Sequence, residues 1–289
     1  PSAQIGHFTS TRKHQCPDRK TGGAFVSAKN RKPTILTLVQ MPRKGHDRSM
    51  SDPVPRPTAI VTGGTSGIGA GIARALAAAG HSVLACGLPR ADGVEPPAVD
   101  GVRTVPLDVT DPASVARLFD GIERLDLLVN CAGIIRRGGA EFDPDVFART
   151  LDVNLTGTMR LCVAAHPALK AAGGAIVNTA SMLSFHGSAF VPGYAASKGG
   201  VAQLTKSLAG AWAADGIRVN AVAPGWIETD LTRPLVEDPA RSAPILARTP
   251  QGRWGTPDDV AGVVLFLASD AARFVTGAVV PVDGGYLAV

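Results

Sequence analysis

The chain contains two tyrosines, and one of them opens the run Tyr194-Ala195-Ala196-Ser197-Lys198. Positions four apart lie on one face of an α-helix, so this phenol and this ammonium can share a site. A free phenol ionises at about pH 10, and a neighbouring ammonium favours the phenolate, which makes the pair a proton donor or acceptor near neutral pH. Two exposed helical neighbours would read the same way, so the pair gains weight only from its companions. Ser181, thirteen residues earlier, ends the strand-like run Ala175-Ile176-Val177-Asn178-Thr179-Ala180. Its hydroxyl either holds a reacting oxygen or caps the strand. Asn154, in Asp152-Val153-Asn154-Leu155, is a fourth candidate, the alternative being a buried amide bonded to main chain.

A second constellation is Thr62-Gly63-Gly64-Thr65-Ser66-Gly67-Ile68-Gly69, which follows the apolar run Ala59-Ile60-Val61 and leads into an alanine-rich stretch. Glycines at 63, 67 and 69 permit a sharp turn and a close approach to a pyrophosphate, while a helix N-terminus offers free amides and a partial positive charge. A plain glycine-rich turn between strand and helix is the competing interpretation. The cysteines, Cys16, Cys86, Cys131 and Cys162, form no Cys-x-x-Cys pair and no metal-ligand spacing with the six histidines, so no metal is expected and the thiols are read as reduced.

Positioning these groups requires a sheet. From Thr58 onward, short β-branched runs alternate with helical stretches, which predicts a doubly wound parallel sheet in a single α/β domain. Strands are expected near 58–63, 82–86, 102–107, 126–130, 174–180, 217–223 and 278–282, and helices near 67–79, 111–121, 143–169, 193–214 and 256–268. Asp111-Pro112 and Thr256-Pro257 place a capping side chain before a first-turn proline and locate two of those helix starts. Ligands of such sheets sit beyond the carboxyl ends of the strands, at the point where the connections change face. The glycine loop, Asn130, Ser181 and the segment from Pro224 all fall there.

The spacing Gly-x-x-x-Gly-x-Gly, led by Thr62, resembles the cofactor loop of the short-chain dehydrogenase/reductase family, a Rossmann-type fold. The resemblance continues through Asp108-Val109, a pair that contacts adenine in the family, and through Asn130-Cys131-Ala132-Gly133, where the family usually has Asn-Asn-Ala-Gly. It implies a catalytic set of Asn154, Ser181, Tyr194 and Lys198, with Asn154 helping to anchor a water-linked proton path to the lysine. It also implies that a nicotinamide dinucleotide is bound by Gly63, Thr65, Ser66, Gly67, Ile68, Gly69, Asp108, Val109, Asn130, Ala132, Gly133, Tyr194, Lys198, Pro224, Gly225, Ile227 and Thr229. Lys198 would meet the nicotinamide ribose, and Ile227 and Thr229 the carboxamide.

The choice between cofactors rests on the residues just after the second strand, where an acid bonds the ribose of NAD or a base meets the phosphate of NADP. Here Val83-Leu84-Ala85-Cys86 runs into Gly87-Leu88-Pro89-Arg90, without an acid and with Arg90 beyond a proline. The subgroup resemblance implies NAD, with NADP left open. That subgroup is suggested by Gly133-Ile134-Ile135-Arg136-Arg137, Ala180-Ser181-Met182-Leu183-Ser184-Phe185, Arg253-Trp254-Gly255 and Val282-Asp283-Gly284-Gly285-Tyr286, which resemble the family's sugar-acid dehydrogenases acting on 2-dehydro-3-deoxy-D-gluconate and gluconate. The resemblance covers residues 56–289 and implies a small-molecule substrate and a homotetramer.

A sugar acid calls for a guanidinium on its carboxylate. Arg137 is preferred over Arg136 for that role, against an exposed loop charge, and His186 either bonds a substrate hydroxyl or caps its loop. Met182, Leu183 and Phe185 are expected to pack the pocket wall. Reduction of a 3-oxoacyl thioester, or oxidation of another secondary alcohol, is the competing enzyme reading. A non-catalytic dinucleotide sensor is the reading of another class, although Tyr194 and Lys198 are both present.

The net charge of +5 is unevenly spread: residues 1–49 carry ten Lys/Arg against two Asp/Glu, and residues 50–289 carry nineteen against twenty-two. Nucleic-acid binding by the domain at 55–289 is therefore not expected. Residues 1–54 read as a basic, disordered extension. A transit peptide or polyanion-binding arm would share that composition, but Met50, directly before the first strand, reads as a natural start. No apolar run is long enough for a membrane span or secretory signal, so the expectation is a cytoplasmic protein. Removal of residues 1–49 is expected to leave turnover unchanged; a large loss in a steady-state assay of the shortened chain would reverse that reading.

Overall fold

The computed structural model describes residues 56–89 and 98–289; the basic extension and Arg90 lie outside the described residues. Seven strands form the sheet: β1 (Thr58–Thr62), β2 (Ser82–Gly87), β3 (Val102–Pro106), β4 (Leu127–Asn130), β5 (Ala175–Thr179), β6 (Arg218–Pro224) and β7 (Val279–Val282). Their spatial order is β3-β2-β1-β4-β5-β6-β7 and every neighbouring pair is parallel. The chain leaves β1 toward one edge and returns at β4 toward the other, which puts the switch point between them. All residues of β4, and nearly all of β1 and β5, are buried, as expected for strands covered on both faces.

Helices α1 (Gly67–Ala78) and α8 (Pro257–Ala268) pack together on one face, where Ile72, Leu76, Val260 and Val264 meet Val61, Val83 and Val129. On the other face, α2 (Pro112–Phe119), α4 (Gly157–Ala172) and α5 (Pro192–Trp212) cover Ile60, Leu128, Ile176 and Val219. Asp111 caps α2 by accepting from Ala113 N, and Thr256 and Asp259 form a reciprocal capping box at the start of α8, so both proline-marked starts lie where expected. Among the described residues no helix is long and apolar enough to cross a membrane.

Two parts differ from the sequence expectation. The single helix expected over 143–169 is instead α3 (Pro144–Leu151), a five-residue π turn over Asp152–Thr156, and α4. Such a turn carries an extra residue and re-aims side chains within an otherwise continuous helix. Here it directs Asn154 inward and seats Gly157 on Val109, where a Cβ at 157 would lie 2.8 Å from Val109 Cγ2. Hydrophobic periodicity does not register so local an insertion. In addition, the stretch after β6 holds two short helices, α6 (Arg233–Val236) and α7 (Pro239–Arg248). Asp238 caps α7 ahead of Pro239, the same Asp-Pro signal seen at α2, but the helix is short, polar overall and interrupted by Pro244.

Asp259 accepts both guanidinium branches of Arg253 at 2.8 Å, together with Thr256 N at 2.7 Å, and these bonds hold its carboxyl well below the usual carboxylate range. A carboxylate depressed on folding contributes stability that is complete above its unfolded value and lost as pH falls. Asp259→Asn is expected to lower Tm by about 3 °C at pH 7, with the difference from the parent shrinking below about pH 4, as scanning calorimetry across pH would report.

Candidate active site

The glycine loop leaves β1 at the switch point and opens α1. Gly63 has φ +66°, and a Cβ there would stand 2.8 Å from Ala132 N, so the loop lies directly on the segment after β4. Ser66, the N-cap of α1, makes no side-chain cap, and no acidic residue occupies the first turn. The uncapped amides and helix dipole suit an anion. Gly67 faces Thr229, whose methyl would be 3.5 Å from a Cβ at 67, so the segment after β6 reaches back over the loop. Thr65 packs against Gly87 at the end of β2, and Gly69 and Ile68 belong to the turn into α1. Asp108, beyond β3, accepts from Thr110 Oγ1 at 2.7 Å and Thr110 N at 2.8 Å, bonds that lower its pKa.

The segment after β4 is organised from within. Asn130 donates to Asn178 Oδ1 at 2.9 Å across the β4/β5 register, and its own Oδ1 is buried without a partner. Ala132 N donates to Thr62 Oγ1 at 3.3 Å. Asn154 is fully buried; its Oδ1 accepts from Ile134 N at 2.7 Å, and its Nδ2 donates to Ile134 O at 2.9 Å and Ser197 Oγ at 3.0 Å. Ser197 in turn donates to Tyr194 O at 2.7 Å. A chain of hydrogen bonds therefore runs from the loop after β4, through the π turn, to the helix bearing Tyr194 and Lys198.

On α5 the phenol and ammonium share the site, with Lys198 Nζ 5.6 Å from the Tyr194 ring centroid. Nζ donates to Thr179 O at 2.6 Å, at the end of β5. Burial pushes the lysine down to about 8. Burial also raises the Tyr194 phenol; a hydrogen bond from Ser181 and the Arg137 charge oppose that rise, and the Glu141 charge adds to it. Ser181 is buried beyond β5 and accepts from Leu183 N at 3.1 Å, so the hydroxyl caps a short turn while facing the phenol. Gly133 lies beside this cluster, since a Cβ there would be 3.7 Å from Lys198 Nζ. Cys131, at the one departure from the family's Asn-Asn-Ala-Gly, is hydrogen-bonded to Thr179 Oγ1 at 3.0 Å, and burial holds its thiol at about 11.

A family model described as Enoyl-(Acyl carrier protein) reductase matches residues 63–287. The 2-dehydro-3-deoxy-D-gluconate 5-dehydrogenase of Bacillus subtilis is 44% identical over 80% of this chain and 94% of its own. The cis-4-hydroxycyclohexanecarboxylate dehydrogenase of Sinomonas cyclohexanicum is 45% identical over 80% of this chain and 96% of its own. A crystal structure described as an NAD(P)-dependent gluconate 5-dehydrogenase from Beutenbergia cavernae, with NADP bound at low occupancy, superposes with a TM-score of 0.73 at 44% identity, covering 81% of this chain and 97% of that one. The chain belongs to the short-chain dehydrogenase/reductase family. It is an NAD(P)-dependent oxidoreductase.

The dehydrogenase's own residues fit a dinucleotide: the uncapped helix start, the tight approach of Gly63 to Ala132, and the gap between Gly67 and Thr229 form a cradle at the switch point. Several residues expected to touch it also make packing or hydrogen-bond contacts within the chain. Val109 is buried against Gly157; Pro224 completes β6; Gly225 is required because a Cβ there would lie 2.7 Å from the Asp283 Cβ. Ile227 is buried against Gly255, and Thr229 N donates to Thr232 Oγ1 at 2.9 Å. Arg137 is exposed at the mouth and donates to Leu231 O at 3.1 Å, joining the segments after β4 and β6. His186 Nδ1 lies 3.0 Å from Gly187 O, which accepts from it, and Nε2 is buried without a partner among the described residues. Met182 is buried as expected of a wall residue, but Phe185 is exposed.

Sequence reasoning missed Ser197, Asn178, Thr205 and Glu141. The buried Asn178 Nδ2 donates to Thr205 Oγ1 at 3.0 Å, which extends the Asn130 ladder into α5. Glu141, a single acid in a short 3-10 turn over Ala140–Phe142, has no sequence signature; the signal available was indirect, since the N-cap of α5 is Val191, which has no capping group. Gly63→Ala places a side chain at positive φ against main chain and is expected to weaken NADH and NADPH binding by about tenfold or more, measured by titrating the fluorescence of the reduced cofactor.

Proposed function

We propose that the chain oxidises a secondary hydroxyl of a sugar acid of the 2-dehydro-3-deoxy-D-gluconate type, or reduces the corresponding ketone, with Tyr194 as the proton-transferring group. The observation that carries this reading is the cluster of buried Ser181 and Lys198 around a half-buried Tyr194, opening toward an exposed arginine, Arg137, whose charge acts on the Tyr194 phenol. Oxidation requires a base and an orienting donor: Tyr194 Oη takes the hydroxyl proton, Ser181 Oγ holds the same oxygen, and the Lys198 ammonium, backed by the Thr179 carbonyl, provides the route by which the proton leaves. Asn154 keeps the loop after β4 and α5 in register. The nicotinamide, when bound, accepts or supplies the hydride. NAD and NADP both remain compatible with Gly87 at the end of β2, where no acid stands.

Substrate identity rests on two of the relatives together. In 2-dehydro-3-deoxy-D-gluconate oxidised at carbon 5, and in cis-4-hydroxycyclohexanecarboxylate, the same number of bonds separates the reacting carbon from the carboxylate. Arg137, tied to Leu231 O and close enough to bias Tyr194, suits that carboxylate, and His186 Nε2 suits a substrate hydroxyl. The thioester reading draws on exposed Phe142, Phe185, Phe190 and Leu231, which would line an apolar groove. The domain is read as 55–289. The enzyme is further read as a cytoplasmic homotetramer, supported by the large apolar side chains Met159 and Val163 on α4 and Phe266 on α8, which are left exposed in the single chain.

The test is a panel of 2-dehydro-3-deoxy-D-gluconate, D-gluconate, galactitol and a 3-oxoacyl thioester, with both cofactors, on the parent, Tyr194→Phe and Arg137→Ala. Tyr194→Phe is expected to bind cofactor normally and lose turnover by a factor on the order of a hundred to ten thousand. Arg137→Ala is expected to raise KM for the acids by about tenfold or more and leave galactitol unaffected. Preference for the thioester, or near-normal turnover by Tyr194→Phe, would overturn the proposal.

A further inference from the structure

The segment after β4 contains one buried carboxylate that the chemistry above does not use. Glu141 is 1% exposed, and both of its oxygens are engaged: Oε1 accepts from Arg136 N at 2.8 Å, and Oε2 from Tyr194 N at 2.8 Å, across 53 residues of sequence. Burying a carboxylate is costly unless its charge is compensated, and among the described residues no Lys or Arg forms an ion pair with it. Compensation comes from main-chain amides and from the start of α5, where Glu141 lies against the positive end of the helix dipole. That helix begins Val191-Pro192-Gly193-Tyr194: the N-cap has no polar side chain, Pro192 has no N–H, and the Tyr194 amide would otherwise lack a partner. Gly193 accommodates the carboxylate, because a Cβ there would be 3.3 Å from Glu141 Oε2 and 3.2 Å from Phe147 Cδ2.

We propose that Glu141 is a positioning residue for the dehydrogenase reaction, holding the main chain of Tyr194 and of Arg136, next to Arg137, in one frame and placing a buried carboxylate at the start of the helix that carries the phenol. The inference rests on the reading of Tyr194 as the proton-transferring group. The charged groups that face Tyr194 are Lys198 on α5 itself and Arg137 and Glu141 from the segment after β4; Ser181, beyond β5, is its neutral neighbour. Cys131, at the end of β4, faces Lys198 as a neutral thiol. Arg137 and Glu141 therefore pull the phenol in opposite directions, and the same carboxylate that ties the two segments together offsets the arginine.

A negative charge disfavours the phenolate, oxidation needs the phenolate, and removing the charge lowers the pH at which the base form appears. In the full chain, with whichever of 2-dehydro-3-deoxy-D-gluconate, D-gluconate and galactitol the parent oxidises fastest, Glu141→Gln is expected to move the acidic limb of the kcat profile down by about half a unit to one unit. Glu141→Asp keeps the charge but is too short to reach both amides. It is expected to leave the limb in place and lower kcat by about tenfold, with KM for cofactor unchanged. A purely structural role would cost both variants Tm and would not separate their pH profiles. An unmoved limb in Glu141→Gln, or parent kcat in Glu141→Asp, overturns the proposal. If Glu141→Gln does not fold, Glu141→Asp decides alone through its kcat. Tyr194→Phe is the control: if it retains turnover, the reading of Tyr194 falls and this inference with it, whereas an inactive Tyr194→Phe beside unaffected Glu141 variants removes the inference only.

Discussion

Everything at this site depends on the burial of the Asn154 amide. A fully buried carboxamide must spend its donors and acceptor on protein groups. Asn154 does so by gripping Ile134 at both its N–H and its carbonyl, much as a neighbouring strand would, while its second N–H reaches Ser197. One side chain thereby couples the end of β4, the π turn and α5. The π turn contributes here: its extra residue shifts the side-chain register between α3 and α4, and Asn154 sits buried within it. An irregularity in the helix thus supports a regular arrangement in the site, which is where such turns recur.

With the main chain held, the electrostatics are set by burial. Lys198 is enclosed and pushed down to about 8, with Nζ committed to the Thr179 carbonyl at 2.6 Å. The cation whose charge opposes the raised Tyr194 phenol is Arg137, at the mouth, where a substrate carboxylate would compete for it. The Arg137 guanidinium is also tied to Leu231 O, which joins the segments after β4 and β6.

Much of this was legible in the sequence, for local reasons. Each of the seven strands was expected within about two residues of where it lies, because a strand buried on both faces must be a short apolar run and the runs are separated by glycine, proline and asparagine. The proximity of Ser181, Tyr194 and Lys198 was readable because a strand end and a four-residue helical spacing bring those residue types together. The helix over 143–169 was misjudged because periodicity averages over turns and does not resolve one inserted residue. Helices α6 and α7 were missed although Asp238-Pro239 marked a start, since α6 is a single turn and α7 is short, polar overall and carries Pro244 in its interior.

The sequence by itself determined the sheet, the glycine loop and the types of group in the site, because these are set by short-range rules of chain geometry and reactivity. The tertiary structure alone decided which polar groups serve which. Asn130 is committed to Asn178, Val109 to Gly157 and Gly225 to Asp283, and Glu141 reaches across 53 residues to the Tyr194 amide. No local pattern encodes such pairings, because a buried donor is satisfied by whichever acceptor the fold brings within about 3 Å, irrespective of its distance along the chain.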